Sequence, residues 1–476
     1  MNALFVVAEL DYADHISLAY LSAVAREEGY SRHFCNLATD SLSATVARLR
    51  PDVVAYSANV MGFKDIVAAH RRVRAEHSFV SVLGGPQATF SPETFAGSGM
   101  DAYCVGEGEG AFQEFLRAAA TGRSFSFLKN VITSSGANPV RPLIKDLDSL
   151  PEADRDLTIA NSFLQDVPKK TFYATRGCPY SCSYCCNNHY HKLYQGKGPV
   201  VRRFSVERVI AEAERVKAKY RMEFVKFGDD MFCIRADPWL EEFAAKYPKR
   251  IGVPFNCYLR LDMVIEDMLK LLKQAGCFSV HLSLDSVSAH VRENVLRRRM
   301  KGTTEDMIKR LRLIRAYGIN TWVNFMLAAP ESTILEDLRT IAVSRAGRVT
   351  YPAYSTTVPM QDTDLYNYCL RRGLLDPATH KSDMTGCYER STLSCFSERE
   401  KRIRYNVLLL GAVAAKLPWP LDRLAVLAIR WLPPNKVFRW IRDRLYRYYI
   451  ERRIFCLRRG GRHASWKWPG AESEEA

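Results

Sequence analysis

No stretch of this chain stays apolar for the roughly 20 residues that a membrane-spanning helix needs. The two nearest candidates, Val407–Ala415 and Leu421–Leu432, stop short, and the second is interrupted by Asp422, Arg423 and Arg430. A basic-plus-apolar leader is also missing; Met1–Glu9 reads as a buried first strand. Regular cysteine pairing is absent: apart from one cluster the 13 cysteines are scattered singly, which excludes a disulfide framework and points to a reducing cytoplasm. Acidic residues are scarce in one place only. Between Arg399 and Arg462 stand 17 Lys/Arg against 4 Asp/Glu, so +13 of the net charge of +16 lies in that stretch. The body is close to neutral, and a nucleic-acid partner is not expected.

What is present is room for two or three domains in 476 residues, with 47% hydrophobic content. Residues 1 to about 125 alternate short apolar runs (Ala3–Glu9, Asp52–Ser57, Phe79–Gly84, Ala102–Gly106) with amphipathic stretches, as in a parallel, doubly wound α/β sheet. Ser31–Leu37 is a more polar candidate for its second strand. Glycines fall where the strands end, in Gly84-Gly85-Pro86-Gln87 and Gly106-Glu107-Gly108, and ligands on such sheets sit at those ends. Residues 126–169 show little periodicity and read as a linker. A strand at Lys170–Thr175 opens a second series of strand and helix patterns, with strands at Phe224–Gly228, Phe255–Leu259, Phe278–Leu284 and Thr321–Leu327 and helices at Ser205–Tyr220, Ile265–Ala275 and Thr304–Tyr317. Repeated units of this kind suggest a partial or complete parallel barrel, its chemistry at the carboxyl ends of the strands.

Between the first two of these strands lies Cys178-Pro179-Tyr180-Ser181-Cys182-Ser183-Tyr184-Cys185, a C-x3-C-x2-C spacing. Such a loop can wrap three thiolates around one corner of a 4Fe–4S cluster and leave the fourth iron open to a ligand. Cys186 follows directly and is poorly placed to reach that iron. A zinc site would want a fourth ligand at similar spacing, and no second C-x2-C pair follows.

This loop resembles the signature of the radical S-adenosylmethionine (SAM) superfamily. With the glycine loops before it, the chain is similar to the class B members, whose cobalamin-binding domain precedes the barrel. The resemblance implies an α/β fold: a Rossmann-like cobalamin-binding domain over residues 1–125, a partial (β/α)6 barrel over 170–376, and beyond the resemblance a basic helical extension over 377–476. It implies that Cys178, Cys182 and Cys185 hold the cluster. It also implies that SAM is met by Tyr184, by Gly228, Asp229 and Asp230 in place of a Gly-Gly-Glu-like motif, by Arg260 for its carboxylate, and by Ser283 and Asp285 near the ribose. Ser57, Gly84, Gly85, Pro86, Gln87, Gly106, Glu107 and Gly108 would surround cobalamin. The family's lower-ligand motif Asp-x-His is absent from residues 1–125, so cobalamin is expected without an imidazole beneath the cobalt. Two further turns lack family glycines: Ala328-Ala329-Pro330-Glu331-Ser332-Thr333 stands for Gly-x-Pro-Gly-Glu-Thr, and Pro359-Met360-Gln361-Asp362-Thr363 for Pro-x-x-Gly-Thr.

The activity so implied is methylation of an unactivated carbon of a small molecule or natural product, through a 5′-deoxyadenosyl radical and methylcobalamin. An electron donor of flavodoxin or ferredoxin type would serve it. Radical cyclisation, rearrangement or oxidation shares the architecture and stays open, as does a non-catalytic iron–sulfur or cobalamin sensor. RNA methylthiolation would bring further cluster cysteines to the N-terminal domain, where only Cys35 and Cys104 stand. Residues 400–457 mix Trp and Tyr with Arg, which suits either a helical cap over the barrel mouth or peripheral contact with the inner membrane face.

Overall fold

A computed structural model of the chain describes residues 1–10, 14–382 and 390–457. The parts of the C-terminal extension at 383–389 and 458–476, including Arg458, Arg459 and Arg462, lie outside the described residues. The chain packs as two compact units, Met1–Thr171 with His189–Arg221, and Phe172–Asn188 with Met222–Ala476.

The first unit is built on a seven-stranded sheet. Its strands are β1 (Asn2–Val7), β2 (Ser31–Asn36), β3 (Val53–Ser57), β4 (Val80–Gly84), β5 (Ala102–Cys104), β6 (Val131–Thr133) and β7 (Gly136–Ala137), in the order β2-β1-β3-β4-β5-β6-β7. The first five pair in parallel, with Phe5 of β1 opposite both Phe34 and Ala55, and Val82 of β4 opposite Ala102. Leu4, Val6, Val54 and Leu83 fill one layer beside the sheet, and Ala3, Phe5, Val53 and Phe112 the other, so both faces are covered. Residues 126–169, expected as a linker, join this unit. Part of the segment adds β6 and β7 as an antiparallel hairpin. Another part is held by Arg155, which is buried and pairs with Asp14 at 2.5 Å and Glu212 at 2.8 Å. Polar anchors of this kind leave no hydrophobic period in the sequence.

The second unit is built on a six-stranded sheet: β8 (Lys169–Phe172), β9 (Phe224–Phe227), β10 (Phe255–Tyr258), β11 (Cys277–Asp285), β12 (Asn320–Leu327) and β13 (Tyr351–Thr356), in the order β13-β12-β11-β10-β9-β8. Strands β9 to β13 pair in parallel and the sheet does not close on itself, as in a partial barrel. Ser205 caps the expected helix Val206–Lys219 of the first unit, accepting from the Arg208 amide at 3.1 Å. The strand β13 was not expected, because Pro352 sits inside it; an edge strand tolerates a residue without an N–H donor.

The turns that lack family glycines keep glycine-like backbone. Ala328, Glu331 and Asp362 have φ of 57°, 66° and 65°. The Asp337 carboxylate braces the first of these turns, accepting from the Ala328 amide at 3.2 Å and the Ser332 hydroxyl at 3.3 Å. A left-handed non-glycine residue carries about 1–2 kcal/mol of strain. Ala328→Gly relieves it while losing a buried methyl and gaining unfolded-state freedom, so stability should change by less than about 1 kcal/mol. Ala329→Gly relieves nothing and should cost about 1.5 kcal/mol by denaturant titration.

Of the two apolar runs in the extension, only one is core. The first C-terminal helix, Glu398–Ala414, is buried along most of its length. A Cβ at its Gly411 would lie 2.7 Å from the Tyr354 ring of β13. Arg404 on this helix is buried, paired with Asp337 at 2.5 Å, and lies 4.0 Å over the Phe396 ring. Further on, Ile454 and Phe455 pack with Phe224, Trp322 and Tyr351, which stand at or near the starts of their strands. The Ser279 hydroxyl donates to the Ile454 carbonyl at 2.6 Å. The extension therefore floors the amino-terminal end of the partial barrel rather than capping its mouth.

Candidate active site

The cysteine loop leaves β8 through Ala174 and Thr175. Both are fixed by Asp229, whose Oδ1 accepts from the Ala174 amide at 2.7 Å, the Thr175 amide at 2.5 Å and the Thr175 hydroxyl at 2.9 Å. Gly228 precedes it at the end of β9. A Cβ there would fall 2.8 Å from the Tyr173 ring, so a side chain at this position would have to displace that ring. The loop is then clamped at three more points. The Arg260 guanidinium stacks 3.7 Å from the Tyr180 ring. Ser183 donates from its amide to the Leu296 carbonyl at 2.9 Å and from its hydroxyl to the Val295 carbonyl at 2.7 Å. The Tyr184 hydroxyl donates to Asp285 Oδ2 at 2.7 Å.

Within the loop, Cys182 is buried, Cys178 and Cys185 are half-buried, and Cys186 is exposed at the start of the helix Cys186–Leu193. Burial pushes the Cys178 thiol up to about 11 and raises Cys182 too. Cys185 is held down to about 7, mainly by a hydrogen bond from Cys186 and then by Asn187. Among the described residues no three His, Cys, Asp or Glu side chains converge as a single metal ion would require. A 4Fe–4S cluster asks for something else, since each thiolate binds a different iron. Three thiols on one braced loop satisfy that donor set.

Among the described residues, two buried atoms at neighbouring strand ends have no hydrogen-bond partner: Asp229 Oδ2 and Arg260 Nη1. A carboxylate oxygen and a guanidinium nitrogen left open side by side in the strand order are the complement of an amino acid's ammonium and carboxylate. The rest of Arg260 is committed, to Asp262 at 2.7 Å and to the Arg298 and Arg299 carbonyls. Asp285, in left-handed backbone at φ 62°, forms an ion pair with Arg298 at 2.9 Å. Arg298 also donates to the Tyr184 hydroxyl and the Ser283 carbonyl, each at 3.2 Å, and reaches the Cys182 thiol. Arg298 escaped the sequence reading. Its only signal there is the run Arg297-Arg298-Arg299 in an otherwise near-neutral body. Asp230 is exposed at the same strand end as Asp229; its carboxyl is raised by desolvation and opposed by a hydrogen bond to Asn187.

Burial raises the Asp229 carboxyl to about 7. The folded state then holds a proton that the unfolded state has lost between pH 4 and 7, so stability falls as pH rises through that window. The full fall from this group corresponds to about 4 kcal/mol. Asp229→Asn keeps the Oδ1 acceptor and should flatten the slope in denaturant titrations from pH 4 to 8, without bound SAM.

In the first unit, Ser57, Gly84 and the loop Gly106-Glu107-Gly108 stand at the carboxyl ends of β3, β4 and β5, which are neighbours in the sheet. Pro86 and Gln87 open the short helix Pro86–Phe90. The loops are tied together: the Gln87 amide donates to the Ala58 carbonyl at 2.9 Å and the Gly106 amide to the Thr89 hydroxyl at 3.0 Å. Gly85 and Gly106, with φ of 91° and 77°, are required by the protein itself, since a Cβ would meet the Ala58 carbonyl at 2.9 Å and the Tyr194 hydroxyl at 2.0 Å. Gly84 differs: nothing lies within 4 Å of its missing Cβ, so its backbone is bare. The Glu107 carboxylate is taken by Arg202, at 2.6 and 3.0 Å. Bare backbone at Gly84, between the neighbouring strand ends of β3 and β5, is what a broad, flat ligand needs. Of the nearby histidines, His70 is buried between Tyr56 and the Gly99 carbonyl, while His15 stands between β1 and the helix Ile16–Glu27.

Comparison with known proteins matches two stretches of the chain to two families. Residues 172–341 match the radical SAM superfamily and residues 2–116 the B12 binding domain. An uncharacterized methyltransferase of Pyrococcus horikoshii is 27% identical over 375 residues, 76% of this chain and 79% of that one. An anaerobic magnesium-protoporphyrin IX monomethyl ester cyclase of Rubrivivax gelatinosus is 23% identical, over 73% of this chain and 65% of the cyclase. The solved structure of the cobalamin-dependent SAM radical enzyme OxsB superposes with a TM-score of 0.65 at 16% identity, over 94% of this chain and 75% of its own, a likeness of fold. The family cofactors are a 4Fe–4S cluster, SAM and cobalamin, and the chain belongs to the radical SAM enzymes that carry a B12-binding domain ahead of the barrel.

Proposed function

We propose that this enzyme transfers a methyl group to an unactivated carbon of a small molecule, with Cys178, Cys182 and Cys185 holding the cluster. The cofactors supply the hard chemistry, a 5′-deoxyadenosyl radical and a transferable methyl group. The protein supplies position. Asp229 Oδ2 takes the SAM ammonium and Arg260 Nη1 its carboxylate; Gly228 lets the chain pass close, Asp230 adds charge at the rim, and Ser283 and Asp285 face the ribose. Tyr184 and Arg298 keep Asp285 and the loop in register. Ser57, Gly84, Gly85, Pro86, Gln87, Gly106 and Gly108 line the corrin platform, and Glu107 with Arg202 stiffens its last loop. The observation that carries this reading is the pair of orphaned buried atoms, Asp229 Oδ2 and Arg260 Nη1, beside a three-thiol loop.

The class of substrate is read from the inner face of the sheet in the second unit. On β12, residues facing the helices, Val323, Phe325 and Leu327, are fully buried, whereas Trp322, Asn324 and Met326 between them are partly exposed. The inner face is more polar and mixed: Trp322 packs against Phe455 of the extension, Asn324 bonds His281, and Met326 packs beside the cluster around Leu365. Register sets Tyr258, His281 and Trp322 side by side on it. Their rings stack at 4.3 Å on either side of His281, and Lys226 lies 5.6 Å over Tyr258. Burial lowers His281 to about 3, so it is neutral at working pH. Lys226 makes no ion pair among the described residues, which favours a substrate with a carboxylate or phosphate. Lys226→Met should raise KM for that substrate at least tenfold, and its product should form at unchanged KM if the reading is wrong.

A cyclase shares this architecture, and the Rubrivivax relative keeps it as the second reading. Methyl-labelled SAM with the anaerobic enzyme separates the two, using dithionite or a flavodoxin as reductant. Methyl transfer puts label into the product; a changed product without label sinks it.

A further inference from the structure

The second and third C-terminal helices, Leu421–Trp431 and Lys436–Tyr448, carry apolar side chains on the wrong side for a water-facing surface. Each has one buried anchor turned toward the rest of the unit, Ile429 and Phe438. The first C-terminal helix holds the turn between them, with the Asn406 amide donating to the Ile429 and Leu432 carbonyls at 3.0 and 2.8 Å. Away from that anchor, Leu421, Leu424, Leu427 and Trp431 recur three or four residues apart and share one face. Leu424 is 56% exposed and Trp431 61%. On the next helix Val437 is 62% exposed and Trp440 60%, with Tyr448 two turns further on. Isolated exposed leucines need no explanation, but a stripe continued over two helices marks a surface that something covers.

The charge around the stripe identifies the occupant. Between Arg399 and Arg453 the sequence has 14 Lys/Arg against 4 Asp/Glu, and Arg423, Arg430, Lys436, Arg444 and Arg447 are exposed. Cations lie over the aromatic members: Arg399 is 5.2 Å from the Trp431 ring and Arg444 5.4 Å from Trp440. A second copy would set two such basic stretches against each other. An acidic protein would answer the arginines but not a row of exposed leucines. Helices of 11 and 13 residues are too short to cross a bilayer, and no helix among the described residues is long and apolar enough to do so. Apolar stripe, flanking tryptophans and basic rim together are the pattern of helices lying in the plane of a membrane surface.

We infer that the helices Leu421–Trp431 and Lys436–Tyr448 dock this enzyme on an anionic lipid surface, leucines and tryptophans in the acyl boundary and arginines at the headgroups. The test is co-sedimentation of the full chain, prepared anaerobically, with phosphatidylglycerol-containing vesicles and with pure phosphatidylcholine vesicles. Binding to the anionic vesicles is expected to be at least tenfold tighter and to weaken with salt. Leu424→Glu with Leu427→Glu changes only exposed side chains; it should lose at least tenfold in binding while the melting temperature and 5′-deoxyadenosine formation stay as they were. Three results would overturn the inference: no binding to anionic vesicles, binding that survives the double substitution and so is adhesion by charge alone, or a lipid-free dimer that the double substitution dissociates.

Discussion

Cys178→Ala, Cys182→Ala and Cys185→Ala should each abolish reductive formation of 5′-deoxyadenosine, a loss on the order of 10³-fold or more, while Cys186→Ala stays within a few-fold of the parent. The spacing already sets Cys186 apart from the other three, and the fold separates them further. Cys178, Cys182 and Cys185 stand on a loop braced at Thr175, Tyr180, Ser183 and Tyr184. Cys186 begins the next helix at the surface. A cluster bound by three thiolates loses its hold when one is removed, because only two thiolates remain and alanine offers no third donor. Iron content and the charge-transfer absorption of the anaerobic protein read this independently of turnover. Full activity in any of the first three variants, or its loss in Cys186→Ala, would move the cluster off this loop.

Asp337→Ala should cost about 3–5 kcal/mol of stability, the largest structural effect expected of one side chain in the second unit. Asp337 is buried and accepts from Arg404, from the Ala328 amide and from the Ser332 hydroxyl. Its removal leaves Arg404 charged in the interior with only Glu400 at 3.8 Å and the Ser332 carbonyl at 3.1 Å, which offset its desolvation in small part. It also frees a turn whose left-handed residues, Ala328 and Glu331, are held only by their surroundings. Adding Arg404→Leu to Asp337→Ala should recover a substantial part of the loss, because the uncompensated charge goes with it. Denaturant midpoints of the two variants measure both; a double variant no more stable than the single one would mean that the turn, not the charge, dominates.

How much of this was legible beforehand divides by the kind of force involved. The parallel strands announce themselves because both faces are buried and the apolar runs are continuous, and the helix Thr304–Ala316 ends as its periodicity predicts. Asp229 and Arg260 were singled out through a resemblance, but their part in bracing the loop was not. Asp229 holds the cysteine loop with one oxygen and Arg260 with the face of its guanidinium, and each keeps one atom open among the described residues. Arg298 and Tyr194 act over sequence separations of 114 and 87 residues, which no local pattern records. The two apolar runs of the extension read alike, and only packing tells them apart. Val407–Leu410 is buried along the first helix, whereas Leu424 and Leu427 face outward. Turns that lack family glycines looked like a departure and are not one in backbone, since Ala328, Glu331 and Asp362 take up the left-handed conformation at a cost in strain.

The central claim is that one chain holds both a cluster and a corrin for one reaction. Anaerobic purification of the full chain with cobalamin, followed by iron analysis and corrin absorption on the same sample, tests it most directly. About four irons on the cysteine loop and about one corrin per chain are expected, with the corrin retained when Cys178→Ala has removed the iron. A chain that carries its full iron but binds no corrin, at any cobalamin concentration tried, would contradict it.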